Sequence, residues 1–321
     1  MLPTAGDVHV NGVLTQFSQA WLQDQNEFVA DKIFPSIPVR KKSDLYMTIP
    51  KGQWFRTDAK PRAPSTESAG SEFTVDFTSS YSCITQSAHK DIDDEIRSNS
   101  DDVFDLDSVS TTFVMRSLLL RRELDFMAKF FKASLWTGST TGADIVPAIK
   151  WDAANATPIK DMQTQIYGLR TKTGYRGTRL LLGSDVWLAL QNSADFIDRI
   201  AVTQRRQVTT ELLASLLELE SVDIAYASQN TALEPATAVM ANIALAKSAM
   251  LVYAPAVPSI MIPSAGYIFA WTGAYGATPQ GSRMKRIRID VRNSDRIEGD
   301  MSYDMKVVAP DMGVFFTPCL T

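Results

Sequence analysis

One short cluster of carboxylates has a spacing that suits metal chemistry. Asp101, Asp102 and Asp105 follow the pattern Asp-Asp-x-x-Asp, and carboxylate oxygens so placed can hold Mg²⁺ against a diphosphate. The cluster also lies at the start of a predicted helix, where the helix dipole alone favours acidic residues. The neighbouring run from Asp91 to Glu95 is interpreted as a solvated or capped turn. A magnesium-dependent enzyme is therefore a remote alternative, and we predict no metal and no cofactor.

Other residues that could carry catalysis are few. The two histidines, His9 and His89, and the two cysteines, Cys83 and Cys319, are too widely separated for the usual zinc sites. The sequence contains no Gly-x-Ser-x-Gly elbow, no phosphate-binding Gly-x4-Gly-Lys-Ser/Thr loop and no Gly-x-Gly-x-x-Gly fingerprint. We predict no catalytic residues and a protein that is not an enzyme.

Charge and hydropathy exclude several classes of protein. The net charge of −4 and the pI of about 5.3 argue against a dedicated nucleic-acid binder. The N-terminus lacks the pattern of a signal peptide, and two cysteines are typical of a reducing compartment. Residues 248–282 carry no charge, but four prolines and four glycines interrupt them, so we predict buried strands and turns there and no membrane span.

Two alternating segments, residues 44–58 and 72–84, are predicted to form the long strands of an extended hairpin. The residues between them have the composition of a loop. A lone two-stranded hairpin is marginal in water, so this one should lie on its own body or on a neighbouring subunit. Within it, Trp54 and Phe55 are aromatic residues of the type that forms cores and interfaces.

Helical periodicity predicts an arm with helical pieces over residues 11–34 and a long helix over about 106–132. The apolar face of the long helix is predicted from six residues at helical spacing: Val109, Phe113, Leu120, Leu124, Met127 and Phe131. Residues 160–275 mix helices with short strands. The predicted elements there are helices at 159–172, from Ser184 to Leu190 and from Thr209 or Thr210 to about Leu219, and strands at 179–182, 222–226, 249–253 and 267–271.

The C-terminal part is predicted to form a second long hairpin. Arg286, Arg288 and Arg292 alternate with apolar residues, Asp295–Asp300 supplies a polar turn containing Gly299, and a second alternating strand follows. Residues 313–316 are a candidate for a short final strand. The three arginines could contact DNA phosphates or an acidic neighbouring surface, and the sequence favours neither.

The order arm, hairpin, long helix, α/β region and returning hairpin resembles the Hong Kong 97-like capsid fold of tailed double-stranded DNA bacteriophages. Short strings similar to phage major capsid proteins recur in the same order along nearly the whole chain. They are residues 26–35 (NEFVADKIFP), 51–56 (KGQWFR), 62–64 (RAP), 89–95 (HKDIDDE), 120–123 (LRRE), 182–186 (LGSDV) and 306–311 (KVVAPD).

The resemblance implies an α+β fold with five parts. They are an N-arm (1–38), an extended E-loop hairpin (39–84, the E-loop segment), a P-domain with a spine helix at about 106–132 (85–158), an α/β A-domain (159–282) and returning P-domain strands with the C-terminus (283–321). It also implies self-assembly into hexamers and pentamers of an icosahedral virion shell around double-stranded DNA, built in the host cytoplasm. The implied partners are a portal and a possible decoration protein, with no membrane. Since the E-loop segment begins near residue 40, no fused scaffolding segment is expected. A separate scaffolding protein is expected instead. We predict no covalent cross-link.

Opposite charges suggest where subunits would meet. Residues 36–70 carry seven basic residues against three acidic ones, whereas the acidic stretch, residues 89–107, carries eight acidic against two basic. We hypothesise that the E-loop segment of one subunit meets the acidic stretch of its neighbour, although two separately solvated faces would show the same pattern. The candidate contact residues are Lys51, Trp54, Arg56, Arg62, Asp91, Asp93, Asp94 and Glu95.

Two further alternatives stay open. An encapsulin, the shell protein of a cellular nanocompartment, would share the fold. A tail-tube protein is another virion component, but it should lack the long spine helix.

Overall fold

The structure is a mixture of helices and strands in which one long sheet carries a long helix and a second sheet carries the shorter helices. The computed structural model describes residues 27–48, 51–70, 72, 74–99, 106–201, 209–233, 237–258, 262–273 and 278–321. The helices in these ranges are α1 Ala30–Ile33, α2 Lys51–Trp54, α3 Asp94–Ser98, α4 Leu106–Phe130, α5 Pro158–Thr173, α6 Ser184–Gln191, α7 Ala194–Ala201 and α8 Thr210–Leu217. The strands are β1 Ser36–Val39, β2 Ser43–Leu45, β3 Ser80–Ser82, β4 Ile84–Asp93, β5 Arg179–Gly183, β6 Ser221–Ala225, β7 Ser228–Asn230, β8 Met240–Asn242, β9 Ala249–Val252, β10 Gly266–Trp271, β11 Ser282–Ile289, β12 Ser294–Val307 and β13 Gly313–Phe316.

The long sheet is built around β12. One edge of this strand pairs antiparallel with β4, from Ser294 opposite Asp93 to Tyr303 opposite Ile84. Its other edge pairs first with β11 and then, from Tyr303 onward, with β10, which in turn pairs parallel with β1. A single strand therefore connects the acidic stretch, the basic strand β11 and the residues that lead into the E-loop segment.

The spine helix α4 packs on the long sheet, and its existence and length confirm the prediction. At 1.5 Å per residue, its 25 residues span about 37 Å. The predicted apolar face was wrong at its N-terminal end, because Val109 and Phe113 are 48% and 57% exposed. A row of buried positions recurs every four residues instead: Ser110, Val114, Leu118, Arg122, Phe126 and Phe130. Glu123 and Met127 lie beside this row and are also buried.

The second sheet has the order β13-β9-β5-β6, with only β5 and β6 parallel. Helices α5 to α8 supply its apolar cover, and the shared core includes Trp151, Leu169 and Trp187. The predicted helices and strands of this region are confirmed to within a few residues. Helix α6 begins at Ser184, as predicted, and its N-cap is Gly183. For α8, the Thr209 side chain does cap the helix by accepting a hydrogen bond from the Leu212 N–H at 3.3 Å.

The prediction of two long strands in the E-loop segment was wrong for most of its length. Its two limbs do pair antiparallel, but among the described residues only through β2 and β3 and a bridge between Thr48 and Asp76. Lys51–Trp54 forms one helical turn, and residues 56–70 have no regular strand. Beyond the base of the hairpin, residues 59–70 are exposed throughout, so no buried face supports continued strand pairing.

The second hairpin is present, but the predicted position of its turn was wrong. The turn is a 3-10 helix at Asp290–Arg292 followed by Asn293, whose φ of 47° closes it. Asp295–Asp300 lies inside β12, paired on both sides. The acidic run from Asp91 to Glu95 is likewise not a turn, since it comprises the end of β4 and the start of α3. The short final strand Gly313–Phe316 is confirmed.

Candidate assembly surfaces

A ladder of ion pairs joins the acidic stretch to the hairpin of β11 and β12. Register places Arg296 on β12 opposite Asp91 on β4. Its guanidinium donates two hydrogen bonds to this carboxylate, from Nε at 2.7 Å and from Nη2 at 2.9 Å. Arg292 approaches the same carboxylate at 3.5 Å. The two-pronged geometry makes Arg296 the main partner of Asp91.

Further along the ladder, Arg288 donates two hydrogen bonds to the Asp94 carboxylate at 2.6 and 2.5 Å. Arg286 donates to Asp295 at 2.5 Å and to Asp107 at 3.1 Å, so it bridges β12 and the start of the spine helix. These arginines lie on β11, which is the strand next to β12. The structure therefore brings Arg286 and Arg288, two of the predicted contact residues, against acidic residues of the same chain.

The ladder shifts the acidity of its carboxylates in one direction. Hydrogen bonding from Arg296 holds the pKa of Asp91 below its ordinary value, and Arg288 does the same for the pKa of Asp94. The pKa of Asp295 is lowered chiefly by Arg286. These carboxylates are therefore ionised and matched at neutral pH, and the arginine side chains that hold them are partly committed to their own subunit.

The remaining acidic candidates are differently placed. Asp93 and Glu95 are exposed, and no ion-pair partner for either lies among the described residues. They lie on either side of Asp94, which is paired. Of the four acidic contact candidates, all of them described, only these two have no ion pair with a described residue. Asp101, Asp102 and Asp105 lie outside the described residues.

The basic candidates on the E-loop segment have partners other than the acidic stretch, or are exposed. Lys51 forms an ion pair with Asp311, and the Arg62 side chain donates to the backbone carbonyl of Thr66. Arg56 is exposed. Trp54 ends α2, but its side chain lies outside the described set. Thus, within the described ranges, no contact unites the E-loop cations with Asp93 and Glu95 of the same chain.

The base of the E-loop segment is held by the long sheet and by the spine helix. The Tyr81 ring stacks on Phe269 with centroids 4.7 Å apart, and the Trp271 indole donates to the Arg40 carbonyl at 3.0 Å. The buried carboxylate of Asp304 accepts a hydrogen bond from the Ser82 N–H at 2.9 Å and pairs with Lys129 of the spine helix at 3.1 Å. The base is thereby oriented by both the sheet and the spine helix.

A second anchor, which the sequence did not reveal, fixes the N-arm to the spine helix. The buried Glu123 carboxylate accepts hydrogen bonds from the N–H groups of Val29 and Ala30 at 3.0 to 3.2 Å. The buried Arg122 side chain pairs with Asp31 on α1 and donates to the Ser36 hydroxyl at 2.8 Å. The only available signal was a charged pair at positions that helical spacing assigns to a buried face.

No arrangement for catalysis or metal binding emerges in the ranges that the structure describes. No group of three or more His, Cys, Asp or Glu side chains there could hold a metal ion. Both cysteines are buried and free, and burial raises the pKa of the Cys83 thiol to about 11, which disfavours the reactive thiolate. No helix in the described part is long and apolar enough to cross a membrane.

Comparison with known proteins identifies the fold. No protein-family model matches the sequence, and no curated protein matches it. A phage-related protein from Bordetella bronchiseptica RB50 is similar at a TM-score of 0.71 and 17% identity, over 92% of this chain and 94% of that chain. The capsid of cyanophage P-SCSP1u gives 0.59 and 12%, over 94% and 90%. The SrpI encapsulin from Synechococcus elongatus PCC 7942 gives 0.54 and 8%, over 95% and 94%. The chain therefore has the predicted Hong Kong 97-like capsid fold.

Proposed function

We propose that this chain is the major capsid protein of a tailed bacteriophage, and that it assembles into hexamers and pentamers of an icosahedral shell around double-stranded DNA. The observation that carries the proposal is the match to the capsid fold over more than nine-tenths of the chain. A fold of this kind can host more than one role, so the surfaces that it exposes must support the function.

The E-loop segment supports assembly through its unequal burial. Its base packs in a small core with Tyr81, Cys83 and Phe269, whereas residues 59–70 are exposed throughout. An arm of this length with no core of its own gains stability only by lying on another surface. A neighbouring subunit provides that surface in a closed shell, and the rigid base would direct the arm towards it.

Charge supports a specific neighbour contact. Asp91 and Asp94 are already neutralised by Arg296 and Arg288, so the unmatched carboxylates Asp93 and Glu95 are the better receptors for a cation from another subunit. We propose that Arg56 and Arg62 of one E-loop segment approach this acidic surface of a neighbouring subunit, whereas Lys51 and Trp54 contribute to other contacts between subunits. Exposed ion pairs are individually weak, but each is repeated in every subunit of a shell.

Charge reversal tests this contact. The double variant Arg56→Glu and Arg62→Glu should assemble more slowly and yield shells that dissociate at lower denaturant concentration than wild type. Lys132→Glu, which reverses an exposed charge on the body, is the matched control. Unchanged assembly and shell stability in the double variant would contradict the contact, although the capsid proposal itself would stand.

Arg286, Arg288 and Arg292 remain proposed contacts with packaged DNA or with a neighbour. Arg292 is the most available of the three, because its side chain is 67% exposed and its nearest partner, Asp91, is held chiefly by Arg296. Phosphate contacts at such a strand would be independent of base sequence. A separate scaffolding protein, a portal and a possible decoration protein complete the proposed partners, with the virion as the location and the host cytoplasm as the site of assembly.

An encapsulin-type shell is the second candidate, since the SrpI encapsulin shares the fold over 95% of this chain. The contents of purified shells distinguish the two. Double-stranded DNA supports the phage capsid, whereas a cargo protein without nucleic acid supports the nanocompartment.

Electron microscopy of the purified protein, with sedimentation alongside, tests the proposal first. We expect closed shells, or hexamers and pentamers, when the chain is produced with its scaffolding partner. Uncapped tubes would favour a tail-tube protein. A small particle that persists with that partner would overturn the capsid proposal and return attention to Asp101, Asp102 and Asp105.

A further inference from the structure

Residues 51–55 of the E-loop segment, here called its tip, contact their own chain at two points. The Lys51 ammonium pairs with the Asp311 carboxylate, 260 positions further along the chain. The Phe55 ring lies over Gly174, because a Cβ built at Gly174 would stand 3.1 Å from Phe55 Cζ and 3.2 Å from Cε1. Gly174 caps the C-terminal end of α5 with a φ of 75°, and its lack of a side chain lets the Phe55 ring approach the backbone.

Both contacts are open to water. The Lys51 side chain is 51% exposed and Phe55 is 64% exposed, so neither is locked in place. An exposed ion pair contributes little to stability. Apart from the half-buried Asp58, residues 55–70 are all exposed, and they add no further hold on the body. The docked tip is therefore a contact that can be released and remade.

Chain length limits where the released tip could dock again. Thr48 pairs with Asp76 across the two limbs, and the three steps from Thr48 to Lys51 span at most about 11 Å. The base stays fixed by Tyr81 and Asp304 when the tip moves. A second copy could receive the tip only if its Asp311 lies within this distance of the base.

We propose that residues 51–55 form an exchangeable latch, which closes on Asp311 and Gly174 of its own chain before assembly and on Asp311 and Gly174 of a second copy afterwards. The proposal rests on the proposed shell-forming function. Each subunit that withdraws its latch vacates the site that its neighbour's latch fills, so the exchange repeats head to tail around a ring. Every latch contact broken within a chain is formed again between two chains, and the other subunit interfaces drive the exchange.

Cysteine cross-linking can distinguish the two positions of the latch. The double variant Lys51→Cys and Asp311→Cys replaces the two side chains of the ion pair with shorter ones that end in thiols. We would join them with a short bis-maleimide, because shortening both side chains leaves a gap too wide for a disulfide. The native Cys83 and Cys319 are 1% and 0% exposed, so they should not react. The two single-cysteine variants are the controls.

The expected product changes with assembly. Unassembled double-cysteine chains should give an intrachain product that remains monomeric in denaturing electrophoresis, whereas assembled shells should give covalent multimers. Shells that give only the monomeric product would overturn the exchange. Unassembled chains that give no intrachain product would overturn the latch. If wild type forms no shells at all, the proposed function fails first, and the exchange fails with it.

Charge complementation provides an independent test that needs no cysteine. Lys51→Asp and Asp311→Lys each place like charges at the latch, and each alone should assemble roughly 2- to 5-fold more slowly than wild type. An equimolar mixture should recover most of the rate, because each variant then offers the charge that the other lacks. A mixture no faster than the single variants would show that the contact does not pass between chains.

Discussion

Glu123 is a buried carboxyl group whose ionisation should couple to folding. Burial against the N-arm raises its pKa from 4.5 to about 7, although hydrogen bonds from Val29 and Ala30 oppose the shift. Because the folded-state pKa exceeds the unfolded one, the stabilising contribution is fully present below about pH 4.5. It is lost as the pH rises through 7, and a shift of this size corresponds to about 3 kcal/mol.

The variant Glu123→Gln should remove this pH dependence. Urea unfolding of unassembled wild type should show a free energy of unfolding up to about 3 kcal/mol higher at pH 5 than at pH 8 on account of this group. The variant should lack that component, whereas Glu67→Gln in the exposed loop should retain it. Parallel pH curves for wild type and Glu123→Gln would contradict the assignment.

Asp91 behaves in the opposite sense. Arg296 lowers its pKa, so its contribution is present above the unfolded value near 4 and is lost as the pH falls through the lower folded value. Asp91→Asn should lower the free energy of unfolding by about 1 kcal/mol at pH 7. The deficit should shrink in acid, where wild type also becomes protonated.

Asp93→Asn is the matched control for Asp91→Asn, because Asp93 is a neighbour on the same strand that is exposed and has no ion pair with any described residue. It should be nearly neutral in the same chemical denaturation experiment. Equal effects of the two variants would show that the ladder contributes nothing beyond the local change in charge.

At the scale of elements, the fit of the spine helix to the long sheet depends on Gly299. A Cβ at this position would lie 2.7 Å from Val114 Cγ1, 2.8 Å from Met284 Sδ and 2.9 Å from Leu118 Cδ1. The sequence suggested a turn at this glycine, but its role is to let the helix approach β12. The turn itself is closed by Asn293, whose small polar side chain tolerates the left-handed backbone.

Gly299→Val should therefore destabilise the chain by about 1 to 3 kcal/mol, because the added methyl groups overpack α4 against the sheet. Thermal unfolding of the unassembled protein measures the effect. Gly52→Ala provides the contrast, since nothing lies within 4 Å of a Cβ there, and it should be neutral or slightly stabilising. Equal melting temperatures for wild type and Gly299→Val would contradict this account of the packing.

For the whole molecule, stability and assembly should be separable through the E-loop segment. Replacing residues 57–70 with a short Gly-Ser linker removes side chains that are almost all exposed, so the unassembled chain should lose less than about 1 kcal/mol of unfolding free energy. The same change should prevent shell formation, as judged by electron microscopy. Normal shells from the shortened chain would show that the arm is dispensable.

The sequence by itself determined the kinds of elements and their order. The periodicity of residues 106–132, the alternation around Arg286 and the helix-capping residue Thr209 are local signals, so the spine helix, the second hairpin and most of the α/β region could be predicted. Charge also located the acidic and basic segments correctly, because composition does not depend on folding.

Only the tertiary structure decided which groups meet. The buried face of α4 is set by β12 and not by the apolar count, so Val109 and Phe113 stay exposed while Arg122 and Glu123 are buried. Register across β4, β12 and β11 pairs Asp91 with Arg296 and Asp94 with Arg288 within one chain, where the sequence had suggested contacts with a neighbouring chain or with DNA. Such pairings join positions about 200 residues apart, and no local pattern carries that information.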